Sequence, residues 1–250
     1  MRVRCYLPPE QWGDSVVRVT GREAHHLLRV LRVTSGDVVT CFDGKGSEAR
    51  AVVEELSRGE LTLRLEKKVH RAPPAVRVCL GVSIPGGGKW DQIVSQAAQM
   101  GVSEIFPLLT VRGVVKISLK EIEKKLGHWA RIAVESAKQS GISWVPVVHP
   151  AVPWSKWVSS LEEYDLALIA TPEGPHEEVR TLLSSRTPRR LLLLIGPEGD
   201  FSPEEIRQAV QHGAHRISLG PVVLKCETAA VAALSILFFL LREFDPRLRV

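Results

Sequence analysis

The chain has 250 residues, 44% hydrophobic and 24% charged, as in an ordinary globular protein, and its net charge of +5 at pH 7 permits a polyanionic partner without establishing one. Its four cysteines, Cys5, Cys41, Cys79 and Cys226, form no C-x-x-C pair, which disfavours a disulfide framework and a zinc site. The N-terminus lacks the apolar core of a signal peptide and the apolar run 229–241 is too short to span a bilayer, so we expect a cytoplasmic protein with no metal and no membrane attachment.

Residues 1–71 are predicted to form a β-rich domain. Val38–Phe42 is an apolar run, Asp43-Gly44 is a strong hairpin signal, and leucines alternate with polar residues over 61–65. Short strands joined by tight turns favour a small barrel.

Glu23–Arg32 within this region has the pattern of a short amphipathic helix. Its leucines can pack inward while Arg29 and Arg32 remain exposed. Two interpretations stay open from the residues alone, a solvated basic face or a contact with nucleic-acid phosphate.

The Pro73-Pro74 pair marks a linker, and the apolar run Val76–Val82 opens a second domain, 76–250. The glycines before Lys89 do not form a nucleotide phosphate loop, because Ser83 and Trp90 stand where that motif requires glycine and serine or threonine. Apolar runs near 76, 104, 145, 166, 191 and 216, separated by helical patterns, predict a parallel α/β sheet.

Two of these runs break abruptly at Gly-Pro. Leu191–Ile195 is followed by Gly196-Pro197, and Ile217–Leu219 is followed by Gly220-Pro221. Helices are predicted after each, the first from the capping signal at Ser202–Glu205 and the second after Glu227. Glycine loops at the ends of parallel strands predict a ligand site at the carboxyl edge of the sheet.

The wording of these two loops carries a resemblance to a known family. The stretches IGPEGDFSPEE, from Ile195, and LGPVVLKCETAA, from Leu219, closely resemble the paired signatures of the RsmE family of SPOUT-class methyltransferases. The resemblance implies an α/β fold, a SPOUT-type parallel sheet with a C-terminal trefoil knot, behind a small N-terminal PUA-like β-barrel that binds RNA. It also implies methylation of N3 of a uridine in bacterial small-subunit (16S) ribosomal RNA, with S-adenosyl-L-methionine as the cofactor.

The cofactor site implied by the resemblance lies in three loops that follow predicted strands. Its residues are Thr171, Pro172, Ile195, Gly196, Pro197, Glu198, Gly199, Leu219, Gly220, Val223, Leu224, Thr228 and Ala229. The catalytic candidates are Glu198 and Glu227, as bases for the N3 proton, and Lys225, which could stabilise the uridine anion. Alternatively, Glu227 caps the last helix and Glu198 only orders its loop.

The RNA contacts implied by the resemblance are His26, Arg29, Arg32, Lys89, Arg112, Lys138 and Gln139. The chain departs from the family pattern at positions that are commonly arginine, where it carries Ile142, Val222 and Lys225, and Cys226 replaces the usual threonine. These departures shift the RNA substrate or are compensated elsewhere.

Two other functions compete with the first. The loss of arginine at several family positions favours a knotted RNA-binding or ribosome-assembly protein with little catalytic activity. The third hypothesis is a general nucleotide-binding α/β enzyme. The segment Thr228–Leu241 is apolar almost all round its helix, which predicts a second covering surface. Together with the resemblance, this favours a homodimer that acts on ribosomal RNA or the small ribosomal subunit.

Overall fold

The computed structural model describes residues 3–113, 119–185 and 188–244. These residues divide into two compact units. The first contains the described residues up to Pro73 together with Val134–Val145, and the second contains the remainder from Pro74 onward. The sequence places a linker near Pro73-Pro74 but gives no sign that Val134–Val145 belongs to the first unit.

The first unit is built on a curled five-stranded sheet. Its strands are β1 (Arg4–Tyr6), β2 (Val16–Val19), β3 (Val38–Phe42), β4 (Ser47–Ser57) and β5 (Glu60–His70). They pair in the order β1-β3-β4-β5-β2, with β1 parallel to β3 and the other pairs antiparallel. Alternate side chains such as Val39, Ala51 and Leu63 are fully buried, because residues two apart point to the same face of a strand.

The expected helix over Glu23–Arg32 forms as two short pieces. Helix α1 covers Gly21–His25, and one π-helical turn follows over His26–Val30. Arg32 then has a φ of 54°, a left-handed conformation that cannot continue a right-handed helix. The amphipathic prediction is confirmed in part, since Leu27 is buried and Arg29 and Arg32 are exposed, but Leu31, at the end of the π-helical turn, is exposed instead of packing inward.

The second unit is built on a parallel sheet. Its strands are β6 (Arg77–Ser83), β7 (Glu104–Leu109), β8 (Val147–Val148), β9 (Val152–Pro153), β10 (Leu166–Ala170), β11 (Arg190–Ile195) and β12 (Ala214–Ile217). They run in the order β12-β10-β11-β6-β7-β8, β9 also pairs with β7, and every pairing is parallel. The predicted α/β sheet is thereby confirmed.

The position of each strand in the sheet explains its sequence. β11 lies between β10 and β6, and Leu191–Leu194 are fully buried, which accounts for the unbroken leucine run. β12 forms an edge and carries the partly exposed His215 and Arg216. Because this edge strand is partly polar, the sequence places it too late, at Ile217–Leu219 instead of Ala214–Ile217.

The helices of the remaining chain are α2 (Trp90–Met100), α3 (Leu119–Ser140), α4 (Trp154–Trp157), α5 (Val179–Ser185), α6 (Pro203–Gln211) and α7 (Cys226–Phe244). α7 packs against α2, α5 and β11. Over the described parts of the chain, each helix falls short of the length or apolarity needed to cross a membrane.

Helix α6 begins with the capping box that the sequence predicts. Ser202 Oγ accepts a hydrogen bond from the amide of Glu205 at 3.2 Å, and Glu205 Oε2 accepts one from the amide of Ser202 at 2.8 Å. The second carboxylate oxygen of Glu205 accepts from the amide of Val111 at 2.8 Å. The buried Glu205 therefore ties the start of α6 to the loop after β7.

The substitution Ser202→Ala is expected to destabilise the protein by about 1 kcal/mol, because it removes the acceptor for one helix N-terminal amide. Thermal unfolding should show a midpoint lowered by roughly 2–4 °C. Ser185→Ala, near the exposed end of α5, is the matched control, and we expect it to stay within about 0.5 kcal/mol of the unsubstituted protein. Equal midpoints for the two variants would contradict the role of the cap.

Candidate functional site

Three loops meet at the carboxyl edge of the second sheet. They follow β10, β11 and β12, and because β10 pairs with both other strands, the loops lie side by side. Together with the start of α7 they enclose the first hollow, whose lining is Ala170, Thr171, Pro172, Ile195, Gly196, Pro197, Glu198, Asp200, Leu219, Gly220, Val222, Val223, Leu224, Cys226 and Ala229.

The first hollow brings together most residues that the sequence assigns to a ligand site. All of the predicted cofactor residues line it except Gly199 and Thr228. Gly199 lines a neighbouring hollow, and Thr228 lines another hollow, formed by residues of α2 and α7. Sequence reasoning did not assign four further lining residues to the ligand, because periodicity says nothing about which loop residues face a pocket: Ala170, Asp200, Val222 and Cys226.

Glycine allows the backbone of these loops to approach closely. A Cβ atom on Gly196 would lie 2.9 Å from Asp200 Oδ1 and 3.0 Å from the backbone nitrogen of Phe201. The amide of Asp200 donates to the carbonyl of Pro197 at 2.8 Å, which closes a tight turn. Gly220 has a φ of 115°, which side chains rarely tolerate. At these two glycines the wall of the hollow therefore exposes backbone instead of a side chain.

The loop after β10 is fastened to β12. The amide of Thr171 donates to the carbonyl of Ile217 at 3.1 Å. The guanidinium of Arg216 donates to the carbonyl of Glu173 and lies where a side chain on Gly174 would be. Arg216 thus holds the loop that presents the buried Thr171 to the first hollow.

A second hollow lies beside the first and shares part of its wall. Pro172, Glu198, Asp200 and Val223 line both hollows. The rest of its lining is Arg112, Glu173, Gly174, Gly199, Phe201, Pro203, Ile206 and Arg216. Arg112 donates to the carbonyl of Gly199 at 2.9 Å. This second hollow therefore combines two guanidinium groups with carboxylates.

Asp200 is the half-buried carboxylate of this shared wall. Burial raises its pKa above the ordinary aspartate value, and the nearby Glu205 acts in the same direction. A hydrogen bond from the amide of Phe201 and the positive charges of Arg112 and Arg216 lower the pKa and so oppose that shift. Its backbone has a φ of 60°, in the left-handed region.

Cys226 lies at the base of the first hollow and is chemically quiet. Burial, followed by the charges of Glu198 and Glu227, raises the pKa of its thiol to about 12. The thiol points to the carbonyl of Ser83 at 3.8 Å. A thiol that stays protonated is not a nucleophile, so Cys226 acts here through its shape.

The three sequence-predicted catalytic residues occupy different places. Glu198 is exposed and lines both hollows. Glu227 instead lines a third hollow, between α2 and α7, where its carboxylate lies 3.9 Å from the ammonium of Lys89. Lys225 is exposed just before α7 and lines none of these three hollows. The structure thus brings Glu198, but neither Glu227 nor Lys225, to the first hollow.

The predicted RNA contacts in the first unit divide into exposed and internal residues. Arg29, Arg32 and Gln139 are exposed, and His26 is half-buried. Lys138 is buried, with its ammonium 2.7 Å from Glu23 Oε1 and 2.8 Å from a carboxylate oxygen of Glu135. Because both carboxylates already hold that ammonium, its position is structural, and we do not retain Lys138 as an RNA contact.

Lys89 and Arg112, the RNA candidates of the second unit, are both exposed. Arg112 lies at the second hollow, whereas Lys89 faces Glu227. Over the described residues, no cluster of three or more histidine, cysteine, aspartate or glutamate side chains is placed to hold a metal ion.

Two family models match the chain. The RNA methyltransferase domain matches residues 72–238, and the RNA methyltransferase PUA domain matches residues 19–66. The fold, the hollows at the carboxyl edge and these matches define the class, an RNA methyltransferase domain behind a PUA domain.

Relatives of known name refine this class. The ribosomal RNA small subunit methyltransferases E of Synechocystis and Bacillus subtilis are 31% and 28% identical, over 94% and 87% of this chain and 77% and 87% of theirs. The chain belongs to this family, the RsmE family, as its loop signatures indicate.

Solved structures agree with this assignment. A Legionella pneumophila methyltransferase with bound S-adenosylmethionine has a TM-score of 0.87 at 31% identity, covering 95% of this chain and 97% of its own. A Neisseria gonorrhoeae ribosomal RNA small subunit methyltransferase E with the same molecule bound has a TM-score of 0.84 at 25% identity, covering 96% and 98%. The SPOUT-type sheet and the PUA-like barrel are thereby confirmed, while the trefoil knot stays a prediction.

Proposed function

We propose that this protein transfers a methyl group from S-adenosylmethionine to N3 of a uridine in 16S ribosomal RNA of the small subunit. The observation that carries the proposal is the first hollow, formed by the two signature loops and the loop after β10 in a chain whose relatives bind that cofactor. Action on ribosomal RNA agrees with the predicted cytoplasmic location.

The first hollow fits the proposed cofactor on physical grounds. The close approach of the loops at Gly196 and the left-handed Gly220 leave backbone groups on the wall, which suits a small molecule bound through amides and carbonyls. Leu219, Leu224 and Ala229 add apolar surface, and we assign them with Thr171 to cofactor binding. When bound, the cofactor supplies an electrophilic methyl group.

The protein must then hold the uridine in line and accept a proton. Uridine N3 carries a weakly acidic hydrogen that leaves when the methyl group arrives. Orientation in line with the methyl donor can supply much of the rate, and a positioned base adds a factor of about 10² to 10⁴. Glu198 lines both hollows and remains the candidate among the three carried from the sequence.

The direct test is methyl transfer from labelled S-adenosylmethionine to small ribosomal subunits that lack the modification, followed by nucleoside analysis. We expect labelled N3-methyluridine. A different methylated nucleoside would assign another target. Tight RNA binding without any product would instead favour the alternative of an RNA-binding or assembly protein, which the substitutions Ile142, Val222 and Lys225 motivate.

We assign RNA phosphate binding in the first unit to Arg29 and Arg32, because both are exposed cations. Replacing both with alanine should weaken RNA binding and lower its logarithmic salt slope by about two, roughly one unit per lost phosphate contact. Cofactor affinity should not change. Arg58→Ala, an exposed arginine in the turn after β4, is the control for simple loss of charge. A salt slope equal to that of the control would place the RNA elsewhere.

We also propose that the protein is a homodimer that uses one face of α7. Ser235, Ile236 and Phe239 are exposed on that helix, with 46% and 68% exposure of the two apolar side chains. Next to them, the third hollow is lined by Gln92, Gln96, Glu227, Thr228, Val231 and Ala232. Within the described chain, the buried Oε1 of Gln96 lacks a hydrogen-bond partner, which a second copy could supply.

A further inference from the structure

Asp200 lies where the first and second hollows meet. It lines both of them, together with Pro172, Glu198 and Val223. Of these four residues only Asp200 and Glu198 carry an ionisable group. The proton acceptor of the reaction proposed above must contact the uracil ring and must also lie close to the bound methyl donor. The wall shared by the two hollows is such a position.

The backbone at Asp200 is an unusual setting for a side chain. Its φ of 60° is left-handed, a conformation that is strained for most side chains and that glycine adopts freely. Aspartate tolerates it better than most, because its short side chain can bond locally. Here the amide of Phe201 bonds the carboxylate and fixes its direction. The turn therefore carries a carboxylate at a position where glycine would adopt the backbone conformation at a lower cost.

The charges around Asp200 suit a uracil ring. Arg112, from the loop after β7, and Arg216, from β12, line the second hollow and act on the carboxylate. Each guanidinium carries five N–H donors, so it can donate to a carbonyl oxygen of uracil as well as to a loop carbonyl. The acidic groups near Asp200 are Glu205, from α6, and Glu198 on the shared wall. Two cations that face the hollow would stabilise the negative charge that uracil gains as N3 loses its proton.

We propose that Asp200 is the base of the reaction, which accepts the N3 proton from a uracil ring seated in the second hollow. This inference rests on the proposed function. The N3–H proton passes to the Asp200 carboxylate, and the electron pair of that bond forms the new N3–CH3 bond. The methyl–sulfur bond of the sulfonium breaks, and sulfur keeps its electron pair as the thioether. Arg112 and Arg216 donate hydrogen bonds to the carbonyl oxygens O2 and O4 of the uracil.

Burial separates Asp200 from Glu198 as a proton acceptor. Glu198 is exposed to solvent, so bulk water competes with a substrate for its carboxylate. Asp200 is half-buried, and burial raises its pKa, which brings its affinity for a proton closer to that needed near neutral pH. The raised pKa of Asp200 determines how the rate of methyl transfer should depend on pH. The base is active when ionised, so activity falls as the pH drops through that raised value.

Asp200→Asn tests the assignment in the full-length protein. Asparagine keeps the size, the tolerance of left-handed backbone and an acceptor for the Phe201 amide, but it cannot take the proton. We expect single-turnover methyl transfer near neutral pH to fall about 10²- to 10⁴-fold. The inflection caused by titration of the Asp200 carboxyl group should disappear, and the rate of the variant should instead rise continuously with pH as solvent removes the N3 proton. Calorimetric affinity for S-adenosylhomocysteine should stay unchanged.

The outcomes separate this proposal from the function on which it rests. Wild-type rate and pH dependence in Asp200→Asn would overturn the proposal while leaving the function intact. Loss of the low-pH decline in Glu198→Gln, with a normal profile in Asp200→Asn, would assign the proton to Glu198 instead. Absence of N3-methyluridine from the unsubstituted protein would reject the function and this inference together.

Discussion

Gly196→Val is expected to reduce the affinity for S-adenosylmethionine by at least about 100-fold, or roughly 3 kcal/mol of binding free energy. The Cβ alone would lie 3.0 Å from the backbone nitrogen of Phe201 and 2.9 Å from Asp200 Oδ1. Valine adds two methyl groups that the turn cannot accommodate without moving. Because this turn forms part of the wall of the first hollow, the displacement falls directly on the proposed cofactor site.

Gly220→Val should produce a smaller loss for a different physical reason. No atom lies within 4 Å of a Cβ built on Gly220, so space is available, but its φ of 115° strains any side chain. Strain of that kind costs on the order of 1–3 kcal/mol, which corresponds to a loss of roughly 10- to 100-fold if it appears fully in binding.

Calorimetric titration with S-adenosylmethionine measures both effects. Gly127→Val is the matched control, because Gly127 lies in α3 with open space around its Cβ and no left-handed strain. Circular dichroism should show the β-rich first unit folded in every variant. If Gly196→Val and Gly220→Val both bind as tightly as the control, these loops are not the cofactor site.

The strands and the ligand edge could be read from the sequence because each depends on short-range chemistry. β7 (Glu104–Leu109) and β10 (Leu166–Ala170) begin where the apolar runs near 104 and 166 were predicted, since a buried parallel strand is apolar on both faces. The capping box at Ser202 was likewise predictable, because its two partners are three residues apart. Loops that end neighbouring parallel strands then meet at one edge without further information.

Other features depend on contacts between residues that are far apart in the chain. Lys138 has the appearance of a basic RNA contact until Glu23, more than a hundred residues earlier, is found to bind it. Asp200 belongs to a recognised loop, but only the folded turn places it on the wall shared by both hollows. The connectivity of a knot has no periodic signature, so that part of the fold still rests on the resemblance.

The sequence also could not show which face of α7 is buried within the chain and which is exposed. Its circumference is apolar nearly throughout, which predicts a second cover but does not say for which side chains. In the structure Leu237, Leu240 and Leu241 are buried, and the exposed apolar residues of the described part of α7 are Ile236 and Phe239. Packing against α2, α5 and β11 decides this, because it fixes the rotation of α7 about its own axis.

Phe239→Glu is therefore expected to convert the proposed dimer into monomers. Phe239 is 68% exposed on α7, and burying a phenylalanine contributes about 1.5–3 kcal/mol. A two-fold interface contains the same residue from both copies, so the loss doubles to roughly 3–6 kcal/mol and weakens the dimer by about 10²- to 10⁴-fold. The introduced carboxylates add like-charge repulsion if they meet near the axis.

Light scattering at micromolar concentration gives the mass of each variant. We expect a dimer for the unsubstituted protein and for Val210→Glu, which places the same charge on an exposed apolar site of α6. Phe239→Glu should have the monomer mass and, if the partner contributes to the RNA site, should also lose methyl transfer while its circular dichroism stays unchanged. A monomeric unsubstituted protein with full methyl transfer would exclude both the dimer and the shared RNA site.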